Sequence, residues 1–413
     1  MAIDWRQGLP VLRAPSVSLR EPRLADAPAL FARLTAPPVV QYMSTPPRSP
    51  LGFERFIAWV QQERYLGRHA CLVIVPDGEG VPVGMVQLRQ VAAGFGTAEW
   101  GFALAQQHWG TGLFMTCARV VVGFAFRNLP IHRLEARVSV ENARGNGVMQ
   151  KLGAAREGML RESFANHLHR TDQLLWGLDA DEWLTAHPDA GYVCERPVVR
   201  DPEEAPVERP RAGAVWQAGL PELHGEGVTL RGLRSTDADS LARLLTDPEV
   251  QRFIAAPPSS PGDFARFIQW SHAQREAGTT LSFGVVPDGA DAAVGLFQIY
   301  DREAPFRTAE WGCVIGRPYW STGLFDRGAQ ALLRFAFEDL GVHRLEARVM
   351  ASNGRASAVL RRLGATEEGH LRRSFLLGGE YHDDLLWALL ADDWRRRDRR
   401  PQTCMSQSPC VAG

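Results

Sequence analysis

The chain has 413 residues, enough for two or three domains that each bury a core. A hydrophobic content of 45% and a charged content of 23% are typical of a globular protein, and a net charge of −1 excludes strong attraction to nucleic acid or anionic membranes. Six cysteines lack a CxxC pair or metal-ligand spacing, and no apolar run is long enough to span a bilayer or form a secretory signal. We therefore expect a cytoplasmic protein with free thiols, no membrane segment and no bound metal.

Strands and helices are mixed along the first half of the chain. The patterns predict strands at 17–20, 71–75, 83–89, 97–104, 131–140, 156–161 and 170–176, and helices at 26–34, 53–65, 111–126 and 142–152. Asn142 is suited to be the N-cap of the last helix, and Gly153 is suited to end it. Antiparallel-type strands precede the central helix, so the predicted fold class is α+β or mixed α/β.

The same pattern occurs twice with a constant offset of 211 residues. The sequence EWG at 99–101 recurs at 310–312, HRLEARV at 132–138 recurs at 343–349, and LGA at 152–154 recurs at 363–365. An offset that never changes indicates two copies of one domain with every loop length kept, each far longer than a solenoid repeat. We expect domains at 5–184 and 216–395, a Pro-, Glu- and Arg-rich linker at 185–215, and a disordered tail at 396–413.

A strand, a turn with two glycines and a helix follow one another around QHWGTGLF, residues 107–114. Backbone N–H groups at a helix N-terminus are unpaired and lie at the positive end of the helix dipole, and glycines let a ligand approach them closely. Such a turn is suited to a pyrophosphate. The turn is neither a Walker loop nor a dinucleotide GxGxxG motif, and glycines that only form a tight connection are the structural alternative.

The segment QHWGTG, residues 107–112, resembles the Gln/Arg-x-x-Gly-x-Gly/Ala signature of GNAT-superfamily acyltransferases. The later segments HRLEARV, ENARGNGVMQKLGA, EGMLR and HRTDQLLW are similar to the RimJ/RimL branch of ribosomal-protein-alanine N-acetyltransferases. The resemblance covers nearly all of each copy. It implies a tandem duplicated GNAT fold, with a central mixed sheet flanked by helices, that transfers acetyl from acetyl-CoA to a primary amine such as a protein N-terminus. We also expect the two halves to pair as a pseudo-dimer.

The resemblance implies that the pyrophosphate lies on the turn's amides and that the pantetheine arm follows the strand that ends near Leu104. An N-cap is the alternative role of the two asparagines placed beside that arm. The implied cofactor contacts are Ala103, Leu104, Ala105, Gln107, Trp109, Gly110, Thr111, Gly112, Leu113 and Asn142 in the first copy, and Trp320, Ser321, Thr322, Gly323 and Asn353 in the second.

Acetyl transfer requires a neutral amine, so a base or a water chain must take the amine's proton. The candidate bases are Glu99 and, in the second copy, Glu310, because each lies on the strand that leads into the turn, where this superfamily places a carboxylate. Strand alternation puts Glu99 on the same face as Gly101 and Ala103. The alternative is a solvated or ion-paired glutamate; for Glu135, with flanking arginines on its own strand, we expect ion pairing.

The chain departs from the branch at the expected proton donor for the departing thiolate. The branch has serine three residues after the asparagine, whereas this chain has Gly145 and Ala356. Asn146 and Ser357, one residue further on, are the available substitutes, acting through water. A non-catalytic acyl-CoA-binding or interaction protein therefore stands as one alternative function, and a small-molecule amine acetyltransferase as another.

The two turns also differ. The first copy has Gln107 and Gly110, where the second has Pro318 and Ser321. A serine side chain disfavours positive φ and adds bulk where a ligand must come close. We therefore expect the first copy to be the better cofactor site and the second to be a weaker site or a pseudo-subunit.

Overall fold

The structure, a computed structural model, divides the chain into two units. It describes residues 4–91, 96–165, 170–189, 191–195, 215–254, 258–303 and 305–398. The first unit comprises Met1–Arg211 with Gly369–Leu376 and Glu380–Asp384, and the second comprises the remaining residues. Most of the predicted linker and tail lies outside the described residues, so the domain bounds stay predictions. No helix in the described ranges has the length and hydropathy needed to cross a membrane.

Within the described ranges, the first unit has a mixed sheet and six α-helices. Its strands are β1 (Val11–Ala14), β2 (Val17–Arg20), β3 (His69–Pro76), β4 (Gly84–Gln90), β5 (Thr97–Leu104), β6 (Arg133–Ser139), β7 (Ala155–Ala165), β8 (Arg170–Asp179) and β9 (Val193–Glu195). Its helices in the described residues are α1 (Ala27–Leu34), α2 (Pro37–Val40), α3 (Pro50–Tyr65), α4 (Leu113–Asn128), α5 (Ala143–Lys151) and α6 (Ala180–Ala186).

Two hydrophobic clusters cover opposite faces of this sheet. Strands β1 to β5 pair in antiparallel order, β5 pairs in parallel with β6, and β8 lies between β6 and β7. The α4 side chain Phe124 packs in one cluster with Trp100, whereas Leu30 of α1 and Ile57 of α3 pack in the other with Ala103. The alternation predicted for β5 is therefore confirmed, and Glu99 lies on the face that α1 and α3 cover.

The second unit repeats this arrangement. Its helices in the described residues are α7 (Val215–Ala218), α8 (Ala238–Leu245), α9 (Pro248–Gln251), α10 (Pro261–Glu276), α11 (Leu324–Arg334), α12 (Gly354–Leu363) and α13 (Ala391–Asp398). The strands of the second half are β10 (Leu223–Gly225), β11 (Val228–Gly232), β12 (Thr280–Pro287), β13 (Gly295–Glu303), β14 (Thr308–Ile315), β15 (Arg344–Met350), β16 (Thr366–Leu377) and β17 (Glu380–Leu390). Strands β10 to β14 are antiparallel neighbours, and β14 pairs in parallel with β15.

The predicted start of the central helix was wrong by two residues. The helix was expected from residue 111, but α4 begins at Leu113 because Gly112 adopts a left-handed φ of 85° as its N-cap. β9 was not predicted from the sequence; it pairs with β1 although it lies within the range predicted as linker. The bounds of β2 and β5 agree with the prediction.

Asn142 and Asn353 are N-caps, as their helix-start positions predict. Asn142 Oδ1 accepts a hydrogen bond of 2.9 Å from Gly145 N, and Asn353 Oδ1 accepts one of 3.1 Å from Ala356 N. Each cap satisfies one of the backbone donors that a helix N-terminus leaves unpaired. This role uses one side-chain oxygen and leaves the expected role beside the cofactor open.

The residue four positions after each cap differs between the copies. The Asn146 amide donates to Ser139 O at 2.9 Å and Asn142 O at 3.0 Å, and its Oδ1 accepts from Trp176 Nε1 at 3.0 Å. At the equivalent positions, Ser357 Oγ and Trp387 Nε1 are buried and have no hydrogen-bond partner within the described residues. The first copy therefore fixes the start of α5 more firmly than the second fixes α12.

We expect Asn146→Ala to lower the free energy of unfolding of the first unit by about 1–3 kcal/mol, because it leaves the Trp176 indole N–H without its acceptor and removes the side-chain donor from two carbonyls that keep their backbone donors. Ser357→Ala is the matched control and should cost close to nothing, because no hydrogen bond is lost. Urea unfolding followed by tryptophan fluorescence measures both. Equal effects of the two substitutions would contradict this account of the network.

Candidate functional site

The two central strands of the first unit separate after a short parallel contact. β5 and β6 pair from Thr97 to Glu99 opposite Arg133 to Glu135, whereas β5 stays paired with β4 as far as Leu104. The second unit does the same, since β14 and β15 pair over 308–310 and 344–346. Beyond Glu99, β5 thus presents one backbone edge that β6 does not cover, as the resemblance to acetyl-CoA-binding proteins implied.

The glycine turn lies at the end of that strand and is open to a ligand. Gly110 and Gly112 have φ values of 77° and 85°, and a Cβ added to either would meet no atom within 4 Å. Protein packing therefore does not require glycine at these positions, whereas the left-handed backbone favours it. The open turn precedes α4, whose first backbone N–H groups lie at the positive end of the helix dipole. These features fit a pyrophosphate.

A tryptophan clasp fixes the turn in each copy. Trp109 Nε1 donates to Leu104 O at 2.9 Å, and the Arg144 guanidinium lies over the indole with its Cζ 4.8 Å from the ring centroid. Arg144 lies two residues after Asn142, so this cation–π contact brings the α5 cap beside the turn. The second copy has the same clasp, in which Trp320 Nε1 donates to Ile315 O at 2.8 Å under the Arg355 guanidinium.

Within the turn, the Thr111 hydroxyl links His108 to the first residue of α4, and Gln107 lies at the surface. Thr111 Oγ1 donates to His108 O at 2.9 Å and accepts from Leu113 N at 3.3 Å, and Thr322 makes the equivalent bonds. The Gln107 amide lies 3.2 Å from His108 Nε2 and is exposed. The predicted contact residues from Ala103 to Leu113 thus lie along the end of β5, the turn and the start of α4, while their contacts with acetyl-CoA stay predictions.

The second turn keeps the backbone shape of the first but is more crowded. Ser321 adopts a φ of 61° and Gly323 one of 79°, so serine takes a left-handed conformation that it disfavours. A Cβ on Gly323 would lie 2.6 Å from Arg327 Nη1, because that guanidinium folds back against the turn. Arg327 was not predicted to lie at the turn, since nothing in the sequence pattern indicates that its side chain reaches back by one helical turn.

Both candidate bases are paired with arginines. Glu99 Oε2 lies 3.1 Å from Arg89 Nη2 and 3.7 Å from Arg137 Nε, and its side chain is 26% exposed. Glu310 is held more firmly: Arg302 donates to Oε2 through both Nε and Nη2, Arg348 Nε lies 3.7 Å away, and exposure falls to 15%. The ion-paired alternative therefore describes the resting geometry, and the catalytic role stays a prediction. Glu99 is therefore less tightly paired than Glu310 and more accessible to an incoming amine.

Glu135 is a structural ion pair, as expected. Arg133 Nε donates to Glu135 Oε1 at 3.2 Å, and both side chains are almost fully buried. Arg344 and Glu346 repeat the pair at 2.8 Å. Because Glu135 lies directly opposite Glu99 in the strand register, this buried pair supports the strand segment that carries the candidate base.

The position of the missing serine is closely packed in the first copy. A Cβ on Gly145 would lie 2.8 Å from Asn142 Nδ2 and 2.9 Å from Val138 Cγ1, so a side chain there would require a local shift. The second copy has Ala356 at this position and keeps its Asn353 cap. The Asn146 amide is already bound to two carbonyls and the Trp176 indole. An amide held this way is not suited to donate a proton.

The residues next to the candidate base differ between the two copies, and the sequence pattern did not predict this difference. In the first copy His69 lies opposite Arg89 on β3, and burial, followed by the charge of Arg89, lowers the pKa of His69 to about 3. In the second copy Tyr300 lies opposite Glu310 and donates to Gln298 Oε1 at 2.7 Å. Burial, followed by the charge of Glu310, raises the pKa of Tyr300, so it stays a neutral phenol.

The sequence matches a known family twice. The family model of the acetyltransferase (GNAT) domain matches residues 16–155 and 228–366. The chain belongs to the GNAT acetyltransferase family. The matched ranges contain both glycine turns and both candidate bases. Membership of this family confirms the predicted fold class and the predicted general activity, which is acetyl-CoA-dependent N-acetyl transfer.

Three curated relatives illustrate the similarity. The uncharacterised N-acetyltransferase p20 of Bacillus licheniformis is 29% identical over 175 residues, which is 42% of this chain and 97% of p20. The spermidine N(1)-acetyltransferase of Escherichia coli is 25% identical over 44% of this chain and 95% of its own length. The ribosomal protein uS5-alanine N-acetyltransferase of Escherichia coli is 27% identical over 28% of this chain and 61% of its own length.

We expect the first unit to lose stability as the pH falls below ~6.5, the unfolded-state pKa of histidine, toward the folded-state pKa of His69, which is about 3. In this window the unfolded chain binds the proton and the folded chain does not, so stability falls by up to about 1.4 kcal/mol per pH unit. His69→Thr, which installs the residue at the equivalent position 280, should remove about 2 kcal/mol of the difference between pH 7.5 and pH 5. Urea midpoints measured at both pH values provide the test.

The exposed His224→Thr serves as the control and should keep the wild-type pH dependence. If His69→Thr and wild type lose stability in parallel, the acid sensitivity does not come from His69.

Proposed function

We propose that the first copy of this GNAT protein is the acetyl-transferring site and that its acceptor is a peptide N-terminal amine. The observation that carries the proposal is the uncovered edge of β5, which runs from Glu99 to an open glycine turn at the start of α4. This arrangement provides a backbone edge for the pantetheine arm, donors for the pyrophosphate and a carboxylate near the strand crossing. Ala103, Leu104 and Ala105 would line the edge, and Asn142 would lie beside it.

Charge around Glu99 favours a monoamine over a polyamine. The relatives' names include both a spermidine and a ribosomal-protein acetyltransferase, so the family alone does not choose between these acceptors. Arg89 and Arg137 both lie within 4 Å of the Glu99 carboxylate. Two guanidinium groups repel a substrate with several positive charges more strongly than a peptide with a single terminal amine.

The proposed role of Glu99 is to accept the proton of the attacking amine, directly or through water. An N-terminal amine titrates near ~8, so a large share of it is protonated at neutral pH and must lose a proton before it attacks the thioester. The second copy is proposed to be the weaker site. Its turn contains Ser321 and is crowded by Arg327, and two donors of Arg302 hold Glu310.

We also propose that the two copies pair as a pseudo-dimer. The constant offset supports this proposal, because it preserves every loop of a single-copy ancestor.

Isothermal titration of the intact chain with acetyl-CoA should show one tight site that Gly112→Trp removes and Gly323→Trp leaves in place. An indole at Gly112 would fill the open turn and force a non-glycine residue into left-handed backbone. Two tight sites, each removed by one substitution, would show that Ser321 is tolerated. Absence of binding to the wild-type chain would remove the basis of the proposed function.

We expect Glu99→Gln to lower kcat for acetylation of a peptide N-terminus about 10²- to 10³-fold, because the amide cannot accept the proton. The assay monitors the CoA thiol that the reaction releases. Glu310→Gln is the matched variant and should change kcat by less than about twofold if the second copy contributes little turnover. Spermidine assayed in parallel should be the poorer acceptor. The opposite ranking of the two acceptors would overturn the peptide assignment and leave the acetyl-transfer activity intact.

A further inference from the structure

A short segment with two adjacent arginines joins the first unit from far along the chain. We call Gly369–Leu376 the arginine segment; by the 211-residue offset it corresponds to 158–165 of the first copy. Gly369 pairs with Gly158 of β7 in antiparallel register. The first unit thus includes a strand segment that the repeat assigns to the second copy.

The starts of β5 and β6 hold three successive carbonyl groups of this segment. Arg133 Nη1 donates to Arg372 O at 2.8 Å, His132 Nε2 lies 3.2 Å from Arg373 O, and Thr97 Oγ1 donates to Ser374 O at 3.4 Å. Thr97 lies two residues before Glu99 on the same face of β5.

Four carboxylates of the first unit bind the two arginine side chains. Glu157 and Asp179 are buried, with side chains 2% and 6% exposed, whereas Glu182 and Asp181 are well exposed. The contacts are Arg372 with Glu157 at 3.3 Å and Glu182 at 2.8 Å, and Arg373 with Asp179 and Asp181 at 2.9 Å each. The segment is therefore held by its backbone and by its side chains at the same place.

Arg133 connects this anchor with the candidate base. Its side chain is 1% exposed and binds Glu135, Glu157 and the Arg372 carbonyl. Glu135 lies opposite Glu99 in the parallel register. A shift of the arginine segment would remove one acceptor from Arg133 and alter the buried pair beside Glu99, and a buried charge that loses part of its pairing is costly.

We propose that Arg372 and Arg373 are positioning residues for the first copy's acceptor site and act on Glu99 through Arg133 and Glu135. This inference rests on the proposed function, because it assigns the second copy a part in the first copy's reaction. The acetyl-CoA turn lies at the far end of β5, roughly 20 Å from Thr97 for a strand of this length. The arginines should therefore affect turnover and leave cofactor affinity unchanged.

The test uses the full chain with Arg372→Ala and Arg373→Ala combined. We expect kcat for a peptide amine to fall about tenfold, since small displacements of a catalytic group cost this much or more, and the Kd for acetyl-CoA from titration to stay within about twofold. The matched control combines Arg395→Ala and Arg396→Ala in α13, which removes the same charge and two exposed ion pairs with Asp392 and Asp393. The control should keep the wild-type kcat.

A second pair of substitutions covers the case in which the arginine variant does not fold. Asp181→Asn with Glu182→Gln keeps the side-chain shapes, loosens the same anchor and should lower kcat in the same direction. An unchanged kcat in a folded anchor variant, an equal loss in the α13 control, or a parallel loss of acetyl-CoA affinity would each overturn the inference.

Hydrogen–deuterium exchange separates this inference from the proposed function. Weakening the anchor should speed amide exchange at 97–99 and 133–135 in the full chain, whereas the α13 control should not. If the wild-type chain acetylates no amine, the proposed function fails, and the exchange result still tests the anchor. Wild-type exchange rates in the anchor variants would contradict it.

Discussion

β5 and β6 exchange backbone hydrogen bonds over three residues and then separate, while each strand keeps its other neighbour. Backbone N–H and C=O groups need partners, so an uncovered strand edge within a folded unit is costly unless solvent or a ligand satisfies it. The features around the separation follow from this constraint. Trp109 binds the last carbonyl of β5, α4 starts beside the open edge, and the buried Arg133–Glu135 pair holds the short contact closed at its other end.

The two copies share this backbone and differ in the side chains that face the open edge. In the first copy the turn has room for a ligand and Glu99 is partly exposed. In the second copy Arg327 lies against the turn, and Tyr300 and Gln298 bind each other on the face that carries Glu310. Fold and loop lengths are preserved more strictly than site chemistry, because a loop change disturbs the whole sheet whereas a side-chain change acts locally.

The sequence predicted those parts of the fold that depend on neighbouring residues. β5 was predicted with correct bounds because the alternation of its two faces acts over a few positions. The start of α4 was missed because Thr111 is compatible with a helix, and only the left-handed φ of Gly112 ends the turn there. β9 was missed because a three-residue strand is defined by its partner β1.

The environment of the candidate base depends on contacts that the sequence pattern does not reveal. Glu99 pairs with Arg89 and Glu310 pairs with Arg302, and these arginines are not at equivalent positions in the two copies. Comparison of the repeats therefore did not predict either ion pair. The contacts of the arginine segment join residues more than 200 positions apart. The family resemblance indicated a candidate strand and turn, and tertiary packing determines how tightly each carboxylate is held.

The absence of the branch's serine bears less on the first copy's chemistry than the pairing of Glu99 does. A simple thiol titrates near ~8.5, so a departing thiolate is a weak base that water can protonate after the bond to the acyl carbon has broken. The attacking amine, which titrates near ~8, is largely protonated at neutral pH and must give up a proton before it attacks. The step that needs a positioned catalytic group is therefore the deprotonation of the amine. The Asn142 cap holds the start of α5 beside the turn, and Glu99 remains within reach of solvent between two arginines.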